Sequence, residues 1–146
     1  MKQIAELIEG QVLTVIDPAI DVRSAARTMS ERNIGCVAVV EEGRLAGIFS
    51  ERDIMSRVVA PGLDPEATNV GLVMSKELVV ANPKDDVDTA LEKMRAIYAR
   101  HLPVVEDGKL VGMLSIRDIL EMDDRDQRAK ATFLEELVTY SPDYEQ

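Results

Sequence analysis

Residues 41–55 read EEGRLAGIFSERDIM, and residues 106–120 read EDGKLVGMLSIRDIL. Laid over one another at a shift of 65, they share Glu, Gly, Leu, Gly, Ser, Arg, Asp and Ile, eight of fifteen positions. The match runs upstream in the same register without a gap. Leu13, Val15, Pro18, Asp21, Val22, Ala25, Met29, Val39 and Val40 fall on Leu78, Val80, Pro83, Asp86, Val87, Ala90, Met94, Val104 and Val105. The chain is therefore two tandem copies of one unit, and a repeat of this kind decides the architecture before local detail does.

Each copy has the same grammar. A short β-favouring run comes first, Leu13–Ile16 and then Leu78–Ala81, ended by Pro18 or Pro83. Asp21 or Asp86 then suits a helix N-cap. Val22, Ala25, Ala26 and Met29, and later Val87, Ala90, Leu91 and Met94, recur at helical spacing and predict one buried stripe per copy. Two strands follow, Cys36–Val40 with Leu45–Phe49 and Leu102–Val105 with Leu110–Leu114, each pair bridged by a Gly-containing polar turn that reads as a hairpin. A helix opening at Ser50 or Ser115 closes the unit, which is β-α-β-β-α.

The domains expected on this basis are residues 1–60, with a lead-in helix at Ile4–Ile8, and 69–122, with a lead-in helix at Asn69–Met74. The Pro- and Gly-containing stretch 61–68 links them. The remainder, 123–146, carries an amphipathic helix expected over Arg125–Tyr140. The fold class is α+β (α/β), with pseudo-twofold symmetry between the copies.

Composition narrows the function classes. A net charge of −10 repels nucleic acid and anionic membrane. A small phosphorylated ligand stays compatible, since a few cations and helix N-termini reverse the field inside a cleft. A single cysteine, Cys36, forbids an intramolecular disulfide. The N-terminus lacks a signal-peptide pattern, and no apolar run approaches the roughly 18 residues of a membrane span. The expectation is a cytoplasmic protein that binds neither membrane nor nucleic acid. Cys36 and His101, the only residues of their types, occupy equivalent positions in the two copies, so neither a catalytic triad nor a metal site assembles around them. Neither an enzyme nor a required cofactor is expected.

The stretches GIFSERDIM and LPVVEDGKLVGMLSIRDIL, set in this repeat, resemble the CBS-domain pair, or Bateman module, over residues ~5 to ~122. The resemblance implies a stand-alone pair that binds an adenosine ligand (AMP, ADP, ATP or S-adenosylmethionine) between its repeats, associates as a homodimer and signals to a regulated protein still to be identified.

The resemblance also assigns residues. Ser50 and Ser115 go near phosphate or ribose, and Asp53 and Asp118 go on the ribose diol. Thr14 and Val79, with Ile34-Gly35-Cys36 and Ala99-Arg100-His101, wall the adenine. Physically, a serine N-cap leaves a helix N-terminus that suits an anion, and a carboxylate in the first turn can accept two hydroxyls. Ser-x-x-Asp is equally the signature of a plain capping box. Arg52 and Arg117 fit either phosphate contact or a solvated first turn, and Arg100-His101 fit either phosphate contact or an exposed strand start. Because the first copy has Gly35-Cys36 where the second has Arg100-His101, one strong cleft is expected, combining Ser115 and Asp118 with Arg100 and His101. The alternatives are a structural, dimerising pair with a degenerate cleft, or S-adenosylmethionine in place of AMP or ATP.

Overall fold

The computed structural model describes residues 2–121, 131, 132 and 134–136. The first repeat holds β1 (Val15–Ile16), α2 (Val22–Arg32), β2 (Cys36–Glu41), β3 (Arg44–Ser50) and α3 (Glu51–Asp53), which runs on as a π-helical stretch, Ile54–Val59. The second holds α5 (Val87–Ile97), β4 (His101–Glu106), β5 (Lys109–Ser115) and α6 (Ile116–Leu120). Lead-in helices α1 (Ile4–Ile8) and α4 (Val70–Val73) precede the two repeats in the chain.

Local chemistry explains these elements. Asp21 caps α2 by accepting from the Ser24 N–H at 3.0 Å, and Asp86 caps α5 by accepting from the Thr89 N–H at 2.8 Å. Asn33 (φ 54°) and Tyr98 (φ 53°) end those helices in the left-handed region. The hairpins turn on Glu42-Gly43 (φ 50° and 78°) and Asp107-Gly108 (φ 53° and 78°), positive at both central residues as the tight turn between twisted strands requires.

The expected leading strands are shorter than their apolar runs. In the first repeat only Val15 and Ile16 pair in parallel with β2, through Ala38 and Val39. In the second repeat the expected strand Leu78–Ala81 does not form, and a single bridge, Ala81 with Val104, remains. The reason is Pro103. Ala81 donates to its carbonyl at 2.9 Å and accepts from Val105 at 2.8 Å, so continuing the ladder needs an N–H from residue 103, which proline lacks. The Val80 carbonyl accepts from the Lys93 ammonium at 2.9 Å.

The lead-in helices are exchanged. Ile4 and Ile8 lie in the core of the second repeat with Val87, Met94, Leu102 and Leu114. Val70, Val73 and Met74 lie in the core of the first, with Val22, Met29, Val39 and Phe49. The glycine of each Gly-x-x-Ser makes this possible. A Cβ at Gly47 would stand 2.7 Å from Met74 Sδ and 2.8 Å from the Ser75 carbonyl oxygen. Backbone amides at the start of each lead-in helix also cross over: Ile4 and Ala5 donate to Asp85 and Pro83, Val70 and Gly71 to Ile20 and Pro18, all at 2.9 Å. Each repeat is thus completed by the helix that precedes the other.

Of the helix expected over Arg125–Tyr140, residues 131, 132 and 134–136 are described and are helical; the rest lies outside the described residues.

Candidate functional site

Both Ser-x-x-Asp motifs fold as capping boxes. Asp53 Oδ2 accepts from the Ser50 N–H at 2.9 Å while Ser50 Oγ accepts from the Asp53 N–H at 3.2 Å. Asp118 Oδ2 and Ser115 repeat this at 2.8 and 3.2 Å. The first amide of each closing helix is also engaged: Glu51 donates to the Gly35 carbonyl at 2.9 Å, Ile116 to the Arg100 carbonyl at 3.0 Å. An anion arriving at either turn finds two amides already satisfied, so side-chain cations must supply most of its attraction.

Such cations line an open groove of about 1870 Å³ between the repeats. On the first repeat's side are Gly35, Cys36, Ser50, Asp53 and Arg57. Beside them lie Ser75 and Lys76 of the lead-in segment, and the second repeat adds Val79, Ala99, Arg100 and His101. Among the described residues, the lining carries the cationic side chains of Arg52, Arg57, Lys76, Arg95 and Arg100 and the carboxylates of Glu51, Asp53, Glu77 and Glu136.

Seven of the eleven residues proposed from sequence line this groove: Gly35, Ser50, Asp53, Val79, Ala99, Arg100 and His101. Thr14, Ile34, Ser115 and Asp118 do not. Thr14 Oγ1 lies 3.3 Å from Arg32 Nη1, and Ile34 packs on the first core. The groove joins Arg100 and His101 to Ser50 and Asp53. Strand register still sets His101 opposite Ser115. Burial pushes the His101 imidazole below its ordinary pKa; Asp118 and Glu51 pull the other way, and Arg100 adds to the depression. Burial, with the Asp53 and Glu51 carboxylates nearby, raises the Cys36 thiol to about 12, so it is protonated and unreactive at neutral pH.

Sequence reasoning missed Arg57, Ser75, Lys76 and Arg95. None belongs to the repeated motif, and only the exchange of lead-in helices brings Ser75 and Lys76 to the first repeat. Arg95 holds Glu136 in a two-point pair, Nε to Oε2 and Nη2 to Oε1, both 2.7 Å.

A family model described as the CBS domain matches residues 7–60 and again 70–124. The chain belongs to the CBS-domain family. It is a tandem CBS pair, a regulatory module. Among its relatives is the CBS domain-containing protein YhcV of Bacillus subtilis, 37% identical over 119 residues that cover 82% of this chain and 84% of that protein. A CBS-domain protein of Agrobacterium tumefaciens superposes with a TM-score of 0.76 at 30% identity, covering 82% of this CBS pair and 98% of its own chain. A CBS-domain protein of Pyrobaculum aerophilum, solved in complex with AMP, gives a TM-score of 0.76 at 28% identity, covering 95% of this chain and 100% of its own. Among the described residues of this CBS pair no helix is long and apolar enough to cross a membrane, and no group of three or more His, Cys, Asp or Glu is placed to hold a metal ion.

Proposed function

We propose that the groove binds an adenosine-containing nucleotide of the AMP, ADP or ATP type and that the pair, as a homodimer, passes its occupancy to a partner protein. The observation that carries this reading is the groove itself, in which the Ser50–Asp53 turn, Ala99–His101 and the cationic side chains of Arg57, Lys76 and Arg100 line one open space. Phosphate meets Arg100 and Lys76, the adenine lies against Val79 and Ala99, and the ribose approaches Asp53. The AMP complex of the Pyrobaculum aerophilum relative supports the ligand class. Thermal melting with excess AMP, ADP, ATP and S-adenosylmethionine tests it. A nucleotide at 100 times its Kd adds about 2.7 kcal/mol, and no rise with any of the four refutes the reading.

One observation favours a structural pair with a closed cleft. Both carboxylate oxygens of Asp53 already take hydrogen bonds from the chain, and the residue is 6% exposed. Under that reading the four ligands leave the melting temperature unchanged, while sedimentation still reports a dimer.

A further inference from the structure

Among the described residues Asp53 is the one buried carboxylate, and its two oxygens do different work. Oδ2 stays within the first repeat, on the Ser50 N–H and hydroxyl at 2.9 and 3.2 Å. Oδ1 reaches the chain leading into the second repeat: it accepts from Ser75 Oγ at 3.0 Å and faces Arg57 Nε at 3.7 Å. Arg57 sits in the π-helical stretch and donates through Nη1 to the carbonyls of Val73 and Met74 at 3.2 and 2.9 Å. Ser75 closes the circuit by pairing its backbone N–H and C=O with Ile48 at 2.8 and 3.0 Å.

Among the described residues of the second repeat there is no such circuit. At a shift of 65, Ser75 corresponds to Gly10 and Arg57 to Met122, and neither has a side chain that donates strongly to a carboxylate. There the side-chain amide of Gln11 replaces the backbone pair, donating to the Met113 carbonyl and accepting from its N–H, both at 2.8 Å. Among the described residues Asp118 takes hydrogen bonds through Oδ2 alone.

We propose that Asp53, Arg57 and Ser75 form a latch between the first repeat and the segment that leads into the second, and that the vicinal diol of a ribose opens it. The diol hydroxyls take the Oδ1 position that Ser75 Oγ holds. Losing that contact loosens the Ile48–Ser75 pair, so groove occupancy reaches the segment that leads into the second repeat. Ser75 and Arg57 act through Asp53 as positioning residues. The opening step rests on the nucleotide reading above; the latch itself does not.

Residue-resolved amide exchange by NMR on the full chain separates the two. Without nucleotide, Ser75→Ala exchanges the Ser75 and Ile48 amides about tenfold faster than the wild type, and Ser75→Thr restores protection. Unchanged exchange in Ser75→Ala overturns the latch whether or not any nucleotide binds. With saturating AMP, the wild-type Ser75 amide speeds up, and Ser75→Ala binds AMP several-fold tighter because no hydroxyl competes for Oδ1. AMP binding with Ser75 exchange and affinity both unmoved overturns the opening step alone. If AMP binds neither wild type nor variant, the nucleotide reading and the opening step fall together, while the ligand-free comparison still decides the latch.

Discussion

Ile8, ahead of the first repeat, presses on Gly112 of the second: a Cβ there would stand 2.7 Å from Ile8 Cδ1 and 3.0 Å from Ile8 Cβ. At Gly47 the obstacle is partly backbone, the Ser75 carbonyl oxygen at 2.8 Å. A leucine-sized side chain can shift by tenths of an ångström, whereas a carbonyl held in a hydrogen-bonded bridge cannot. Both alanine variants are expected to destabilise by about 1–3 kcal/mol, with Gly47→Ala the worse. Urea unfolding checks the order, and a neutral Gly47→Ala contradicts the close approach.

The two aspartates of the repeated motif differ in the same way. Asp53→Ala removes a buried acceptor and strands Ser75, Arg57 and the Ser50 cap, and is expected to cost about 2–4 kcal/mol. Asp118→Ala loses a capping box in a partly exposed turn, about 1 kcal/mol. Equal losses in chemical denaturation would remove the distinction between the two sites.

Much of this was legible in the chain because it is local. Asp21, Asp86, Ser50 and Ser115 cap helices through contacts three residues away, and Glu42-Gly43 and Asp107-Gly108 turn on their own backbone angles. The exchange of lead-in helices was not legible, since Ile4 and Ile8 mark an apolar stripe without saying which core receives it. The groove inherits that limit: Ser75 and Lys76 reach the first repeat only through the exchange. The missing strand at Leu78–Ala81 did have a signal in Pro103, but reading it requires knowing that the backbone nitrogen of residue 103 faces the leading strand rather than β5.

His101 predicts a pH dependence. Burial keeps the folded imidazole below its ordinary value of 6.5, so as pH falls the unfolded chain takes up the proton first. The stability from a neutral His101 is fully present above 6.5 and is lost as pH falls through that value toward the folded pKa. Melting temperature is therefore expected to decline from about pH 7.5 to about pH 5.5, with a shallower slope in His101→Gln. Asp21 and Asp86, held below the ordinary 3.8 by hydrogen bonds from Ser24 and Thr89, lose their contribution only at lower pH and do not blur this window. An identical slope in His101→Gln would show that other groups carry the effect.

Arg100 separates phosphate recognition from adenosine recognition. It lines the groove and is exposed, and its backbone carbonyl already serves the Ile116 amide, so truncating its side chain leaves α6 capped. Removing a charged hydrogen-bond partner of phosphate costs about 1.5–3 kcal/mol, so Arg100→Ala is expected to weaken AMP binding by roughly 10- to 100-fold. Adenosine, which lacks the phosphate, is expected to bind wild type and variant within about twofold of each other. Arg117→Ala, on the repeated motif but outside the groove, is expected to leave AMP affinity unchanged. Calorimetry with both ligands on all three proteins decides it. If Arg117→Ala weakens AMP binding and Arg100→Ala does not, the phosphate lies at the second repeat's turn, and the ligand occupies the other side of the pseudo-twofold axis.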